Sequence, residues 1–168
     1  MSPQNCFLGW VGLGAPKPYR TRKKGEHMTI ATTWETIRIY KDTCTGCRIC
    51  EIICSLSHEK VVNPEKSRIY IRRRYEESLY VPYICQNCAD ADCVAVCPTS
   101  ALSQDGQGII VADQDLCTGC ELCVQACPHD AIRYNEDAAR ILVCDHCGGK
   151  PLCVEFCATQ ALKFTSPD

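Results

Sequence analysis

The chain has 168 residues, with 18 Lys/Arg against 20 Asp/Glu and a net charge of −2; this suits one domain or a tightly fused pair and leaves no basic footprint for nucleic acid. Cysteine accounts for 17 residues, so the hydrophobic share of 46% overstates the apolar core, and metal clusters or disulfides must help to hold it together. No apolar run is long enough to span a bilayer, and the basic run Arg20, Arg22, Lys23, Lys24 follows the first apolar stretch instead of preceding it as in a secretory signal. A cytoplasmic, reducing setting is therefore expected, in which dense cysteine reads as metal binding.

Residues 1–39 form a leader unlike the rest, rich in Gly and Pro, without sustained periodicity, and holding the unmatched Cys6. Lys23-Lys24-Gly25-Glu26 ahead of Met28 is what a translated purine-rich ribosome-binding site would look like, so Met28 is a candidate start. Dropping the five basic residues and one acidic residue before Met28 from the 18 and 20 of the whole chain leaves 13 basic and 19 acidic, a net of −6, as expected of an acidic module.

Residues 40–168 carry four cysteine runs. The first is Cys44, Cys47, Cys50, Cys54, spaced 2-2-3, with Ser55 behind it. The second is Cys85, Cys88, Cys93, Cys97, spaced 2-4-3 and followed by Pro98. The third is Cys117, Cys120, Cys123, Cys127, spaced 2-2-3 and followed by Pro128; the fourth is Cys144, Cys147, Cys153, Cys157, spaced 2-5-3 and followed by Ala158. Each run should open as a loop and close in a short helical turn, with a strand leading away, and no long helix or doubly wound sheet is indicated. The strands expected are Arg68–Arg72 with Leu79–Val81 across Glu76-Glu77-Ser78, Ala101–Ser103 with Gly108–Val111, Ala131–Tyr134 with Arg140–Val143, and Ala161–Phe164. The repetition predicts an internally duplicated α+β fold: two two-cluster modules with short strands and helices wrapped on the clusters.

The spacing C-x2-C-x2-C-x3-C-P is that of bacterial ferredoxins, in which three thiolates of one tight loop hold a [4Fe-4S] cube and the cysteine before proline serves the neighbouring cluster. Disulfides would need an oxidising compartment, and zinc sites pair two C-x2-4-C knuckles across a longer linker, unlike the tight runs here. Four [4Fe-4S] clusters are the expected cofactors. Thr45-Gly46 and Thr118-Gly119 can aim backbone N–H groups at a cube. His58 and Glu59 read as a surface helix end more than as neighbours of a cluster, and His146 is not expected to be a ligand. Arg72-Arg73-Arg74 reads equally as a partner dock or a solvated strand face, and Tyr70, Tyr75, Tyr80 and Tyr83 as hairpin packing. The sequence has no nucleophile–base constellation, P-loop or dinucleotide fingerprint, which points to a conductor and not an enzyme by itself.

From Ile37 to Phe164 the chain resembles the four-cluster ferredoxin-type electron-transfer subunits of molybdenum- and tungsten-pterin oxidoreductases. CTGCRICEIICSLSHEKVVNPEKSRIYIRR is most similar to the small iron–sulfur subunits of tungsten-dependent aldehyde oxidoreductases and the related benzoyl-CoA reductases. The resemblance implies a tungsten- or molybdenum-pterin catalytic subunit as one partner and a flavin or NAD-reactive subunit as the other. Iron–sulfur subunits of carbon monoxide dehydrogenase, hydrogenase or formate dehydrogenase, and free polyferredoxins, are the alternatives. It also implies a pairing in which Cys44, Cys47 and Cys50 share a cluster with Cys157, and Cys144, Cys147 and Cys153 with Cys54. Cys85, Cys88 and Cys93 would then share with Cys127, and Cys117, Cys120 and Cys123 with Cys97. Pairing of sequence neighbours, run one with two and three with four, stays open.

Overall fold

A computed structural model describes residues 35–166, so the leader, Cys6 and the candidate start Met28 lie outside the described residues. The described chain is a mixture of short strands and helices. Eight strands form four separate antiparallel ribbons: β1 (Thr36–Ile39) with β8 (Leu162–Thr165), β2 (Tyr70–Arg74) with β3 (Leu79–Tyr83), β4 (Leu102–Gln104) with β5 (Ile110–Ala112), and β6 (Arg133–Asn135) with β7 (Arg140–Leu142). Four helices follow the cysteine loops: α1 (Ile49–Glu59), α2 (Asp92–Ala95), α3 (Leu122–Ala126) and α4 (Leu152–Glu155).

β1 was not anticipated. Its register is Thr36↔Thr165 to Ile39↔Leu162, and Ile37 is fully buried. The remaining ribbons fall where turn residues and alternation put them, displaced by one or two residues.

One local pattern recurs three times. Cys97-Pro98-Thr99-Ser100-Ala101-Leu102, Cys127-Pro128-His129-Asp130-Ala131-Ile132 and Cys157-Ala158-Thr159-Gln160-Ala161-Leu162 are the same tight turn. Its fourth residue is left-handed, with φ 55°, 50° and 54° at Ser100, Asp130 and Gln160, and donates its N–H to the cysteine carbonyl at 3.0–3.3 Å. The alanine and the Leu/Ile that follow are buried in every copy, which anchors each remote cysteine beside the core just ahead of a strand.

The first run departs from this pattern. The expectation that every run closes in a short turn fails there, because α1 runs 11 residues, through Cys54 to Glu59. Ser55 supplies the N–H that Pro98 and Pro128 lack, so the helical ladder continues, and left-handed Lys60 ends it with an N–H to the Leu56 carbonyl at 3.1 Å. Ser55 is buried and serves twice, donating to the Ile52 carbonyl and accepting from Asn63 N–H. Buried Glu51 ties α1 to β2, accepting from Ile71 N–H at 2.6 Å and from Arg48 Nε at 2.5 Å. The core is small: isoleucines and leucines from the ribbons packed among seven buried cysteines of the four runs.

Candidate metal centres

The sixteen cysteines of the four runs are all free thiols, and none forms a disulfide. The fold collects them in sets that cross the sequence order. One cavity is lined by Cys117, Cys120 and Cys123 together with Cys97 of the second run. A second is lined by Cys144, Cys147 and Cys153 together with Cys54 of the first. Thiol electrostatics draw the other two groups. Burial first, then the neighbouring thiols of Cys157 and Cys47, pushes Cys44 up despite an opposing backbone hydrogen bond at Gly46. Burial, with Cys93, Cys127 and Cys88 nearby, pushes Cys85 up to about 12. The two cavities each bring three cysteines of one run to the last cysteine of another, and Cys44 has Cys157, as Cys85 has Cys127, among its near thiols.

The groups also neighbour one another in a definite order. Cys153 feels Cys50 of the first run, Cys144 feels Cys85 of the second, and Cys93 feels Cys123 of the third. Cys54, Cys85, Cys93, Cys123, Cys127, Cys144 and Cys153 are buried, whereas Cys47 is the exposed member of the sixteen.

Thiols pushed up to about 12, as at buried Cys85 and Cys93, would stay protonated and inert in an apolar pocket. A bound cationic centre reverses that, because a coordinating thiol is deprotonated outright. The surroundings suit an anionic sulfur cage, since backbone N–H groups already point at sulfur: Arg68 N to Cys54 at 3.3 Å, Asn87 N to Cys85 at 3.5 Å and Ala131 N to Cys127 at 3.4 Å. Burial raises Cys97, but backbone N–H groups led by that of Leu102 and the Thr99 side chain outweigh it and hold the thiol below its usual range.

Around Cys54 the turn that follows the other three runs is absent, and side chains join the Arg68 N–H there. His58 Nδ1 donates to the Cys54 carbonyl at 2.9 Å and lies 3.8 Å from its sulfur, while Nε2 donates to Asp145 Oδ1 at 3.1 Å. The reading of His58 as a surface helix end is thereby corrected, since it lines the cavity of Cys54, Cys144, Cys147 and Cys153. Asp145 first, then Cys147 and Cys54, pushes the imidazole up to about 12. Burial opposes the Asp145 carboxylate, but His58 and Arg68, whose Nη1 is 2.6 Å away, hold it well below the usual range. His58, Asp145 and Cys147 offer ligand atoms within 4.8 Å of one another, and Asp145 is already paired with the Arg68 guanidinium.

His146 is fully buried and accepts from Asn87 Nδ2 at 2.8 Å, which joins the Cys85–Cys88 loop to the Cys144–Cys147 loop; burial lowers its proton affinity, so it stands as a neutral acceptor. Gly46 and Gly119 are left-handed, with φ 71° and 68°. A Cβ on Gly46 would overlap the Tyr80 ring, and one on Gly119 would come within 2.6 Å of the Tyr134 hydroxyl. Tyr70 and Tyr83 stack with centroids 5.1 Å apart, as hairpin packing requires.

Fold and cysteine sets together define an iron–sulfur protein. The family model described as "4Fe-4S dicluster domain" matches residues 76–166, more than half of the chain, and a "4Fe-4S binding domain" model matches residues 41–59. The chain belongs to the 4Fe-4S dicluster family, and its cofactors are multiple [4Fe-4S] clusters. The "Aliphatic sulfonate oxidoreductase, polyferredoxin-like subunit" of Pyrococcus furiosus is 44% identical over 50% of this chain and 49% of its own length. The "Thiosulfate reductase electron transfer subunit PhsB" of Salmonella typhi is 34% identical over 46% and 44%. A subunit of the anaerobic dimethyl sulfoxide reductase of Escherichia coli is 35% identical over 53% and 49%. The chain spans about half the length of the curated relatives it matches. A solved structure of the "Active site complex BamBC of Benzoyl Coenzyme A reductase" aligns over 78% of each polypeptide at 28% identity and TM-score 0.47. No helix among the described residues is long and apolar enough to cross a membrane.

Proposed function

We propose that the chain is a four-cluster electron wire of an oxidoreductase complex, non-catalytic by itself. Its cluster sets are Cys44, Cys47, Cys50 with Cys157; Cys144, Cys147, Cys153 with Cys54; Cys85, Cys88, Cys93 with Cys127; and Cys117, Cys120, Cys123 with Cys97. The observation that carries this reading is the pair of cavities, each lined by three cysteines of one run and the last cysteine of another. Neighbouring thiols support the order run one, run four, run two, run three, so that single electrons hop through two inner sites between two outer ones. In this reading runs one and four form one module of a duplicated ferredoxin-like domain starting near residue 40, and runs two and three the other; the recurring cysteine turn supports the duplication. The clusters supply one-electron chemistry. The chain supplies thiolates, N–H donors to sulfur and a shielded middle.

The partner in this reading is a tungsten- or molybdenum-pterin catalytic subunit of the aldehyde oxidoreductase kind, with a flavin or NAD-reactive subunit as acceptor, in the cytoplasm. The naming of relatives as subunits of sulfonate, thiosulfate and dimethyl sulfoxide enzymes supports an oxidoreductase partner. The test is anaerobic purification of the native chain through a C-terminal tag, with elemental analysis of what it holds. About sixteen irons per chain are expected, together with tungsten or molybdenum in a companion chain. Iron without a companion would make this a free polyferredoxin and overturn the partner.

A further inference from the structure

We propose that His58 and Arg68 are potential-setting residues: they make the fourth-run site, closed by Cys54, easier to reduce than the third-run site, closed by Cys97. The first electron to arrive then rests inside the wire and not at its third-run end. This inference rests on the electron-transfer reading.

The two cavities are alike in sulfur and differ in charge. The charged side chains that line the fourth-run cavity are His58 and Arg68, whereas those that line the third-run cavity are Asp113 and Glu121. Taking up an electron adds one negative charge to a centre already ringed by four thiolates. A cation beside it favours the reduced form and a carboxylate opposes it, and net charge is among the levers that set the potential of such a centre.

His58 owes its charge to geometry. Nδ1 stands 2.9 Å from the Cys54 carbonyl oxygen and Nε2 3.1 Å from Asp145 Oδ1. A carbonyl and a carboxylate only accept, so both ring nitrogens bear hydrogen. Arginine is a cation throughout. The two cations share one carboxylate, because Asp145 Oδ2 accepts from Arg68 Nη1 at 2.6 Å. One positive charge is left over.

Placement favours the cations as well. The side chains of His58 and Arg68 are 12% and 23% exposed and that of Asp145 is 42% exposed, so water screens the carboxylate more than its partners. The His58 ring stands against two of the four sulfurs, with Nδ1 at 3.8 Å from Cys54 and a ring nitrogen within 4.8 Å of Cys147. At the third-run site the matching neighbour of Cys97 is the uncharged Thr99 hydroxyl at 3.8 Å. Glu121 lies between Cys120 and Cys123, in the left-handed place that Arg48 takes in the first run, with φ 58° against 63°. Glu121 and Asp113 are exposed, so their opposition is the weaker effect, but both act in one direction.

The test is a redox titration of the full chain, purified anaerobically with its clusters. Dithionite supplies the electrons, and electron paramagnetic resonance follows the reduced centres. His58→Gln keeps a side-chain hydrogen-bond donor and drops the charge; it should make one of the higher-potential steps about tenfold harder, a downward shift of about 59 mV for one electron. Arg68→Met should lower the same step, and Arg68→Lys, which keeps the charge, should largely restore it. The backbone N–H from Arg68 to the Cys54 sulfur survives in both. Glu121→Arg copies the residue that the first run carries at this place, and should make a different, lower-potential step about two- to fivefold easier. Iron content equal to wild type shows that a variant is loaded. The proposal is overturned if the step moved by Glu121→Arg lies above the one moved by His58→Gln, or if Arg68→Lys lowers its step as far as Arg68→Met. It is also overturned if a loaded His58→Gln or Arg68→Met leaves every step in place. Where one of these two loses its iron, the other decides by the same comparison; loss of iron from both means that they hold the site together and do not set its potential. Wild-type protein without iron defeats the electron-transfer reading instead, so the two failures are separable.

Discussion

In the loops Cys44–Cys47 and Cys117–Cys120 the third position is glycine, and in Cys85–Cys88 and Cys144–Cys147 it is Asn87 and His146. All four are left-handed, with φ 71°, 68°, 46° and 53°. The turn is therefore the same, and what differs is what stands outside it. Each outer loop needs room for a tyrosine laid against its backbone, which a side chain would block. Each inner loop needs a grip on the other. Asn87 donates to His146, accepts from Ile110 N–H at 2.9 Å and lies against the Cys85 sulfur, all at zero exposure. Asparagine and histidine are among the residues that tolerate this conformation best, so the inner loops gain a polar cross-link with little backbone strain. Room at the rim and linkage in the middle are what a wire needs if its ends are to be reached and its centre shielded.

The contrast between rim and middle breaks most severely at the cysteines. Cys85→Ser removes a buried member of an inner set, and since metal binding and folding are coupled we expect a loss above about 4 kcal/mol, seen as an insoluble chain or one with little iron. Cys47→Ser, at the exposed end, should lose iron from one site and keep the rest, as iron per chain and a melting curve will report.

Asn87→Ala leaves Ile110 N–H and His146 without their partner and should destabilise by about 2–4 kcal/mol in chemical denaturation of the loaded protein. Asn87→Gly sharpens the point: if the linkage matters and not the backbone angle, glycine will rescue nothing.

Gly46→Ala should cost about 2–3 kcal/mol, from the left-handed backbone and the Tyr80 ring together, and Tyr80→Ala should recover part of it. Gly119→Ala should cost less, about 1–2 kcal/mol, because only the end of Tyr134 is in the way and Tyr134→Phe can relieve it.

Much of this was legible in the sequence because the cues are local. Cysteine spacing marked the four loops, and Glu76-Glu77-Ser78 and Asn135-Glu136-Asp137 marked two ribbon turns within a residue or two. The resemblance supplied the run-one-to-run-four pairing that we propose. What stayed hidden depended on distant partners. β1 is four residues long and is a strand because β8, at the other end of the domain, pairs with it. His58 looked like a helix end because Asp145, which fixes its ring, is 87 residues away. The length of α1 was readable in principle from Ser55, yet Ala158 stands at the same place after the fourth run and α4 still ends at Glu155, so the missing proline permits a longer helix without requiring one.

The β1–β8 ribbon has a consequence for biosynthesis. A chain emerges from the ribosome N-terminus first, and the second and third cysteine runs can find each other before Cys144 has been made. The first run cannot. Its strand waits for Leu162–Thr165, and its last cysteine, Cys54, shares a cavity with the fourth run. The first run, made before the other three, is therefore finished last, and its thiols are the ones left longest open to oxygen while the protein matures.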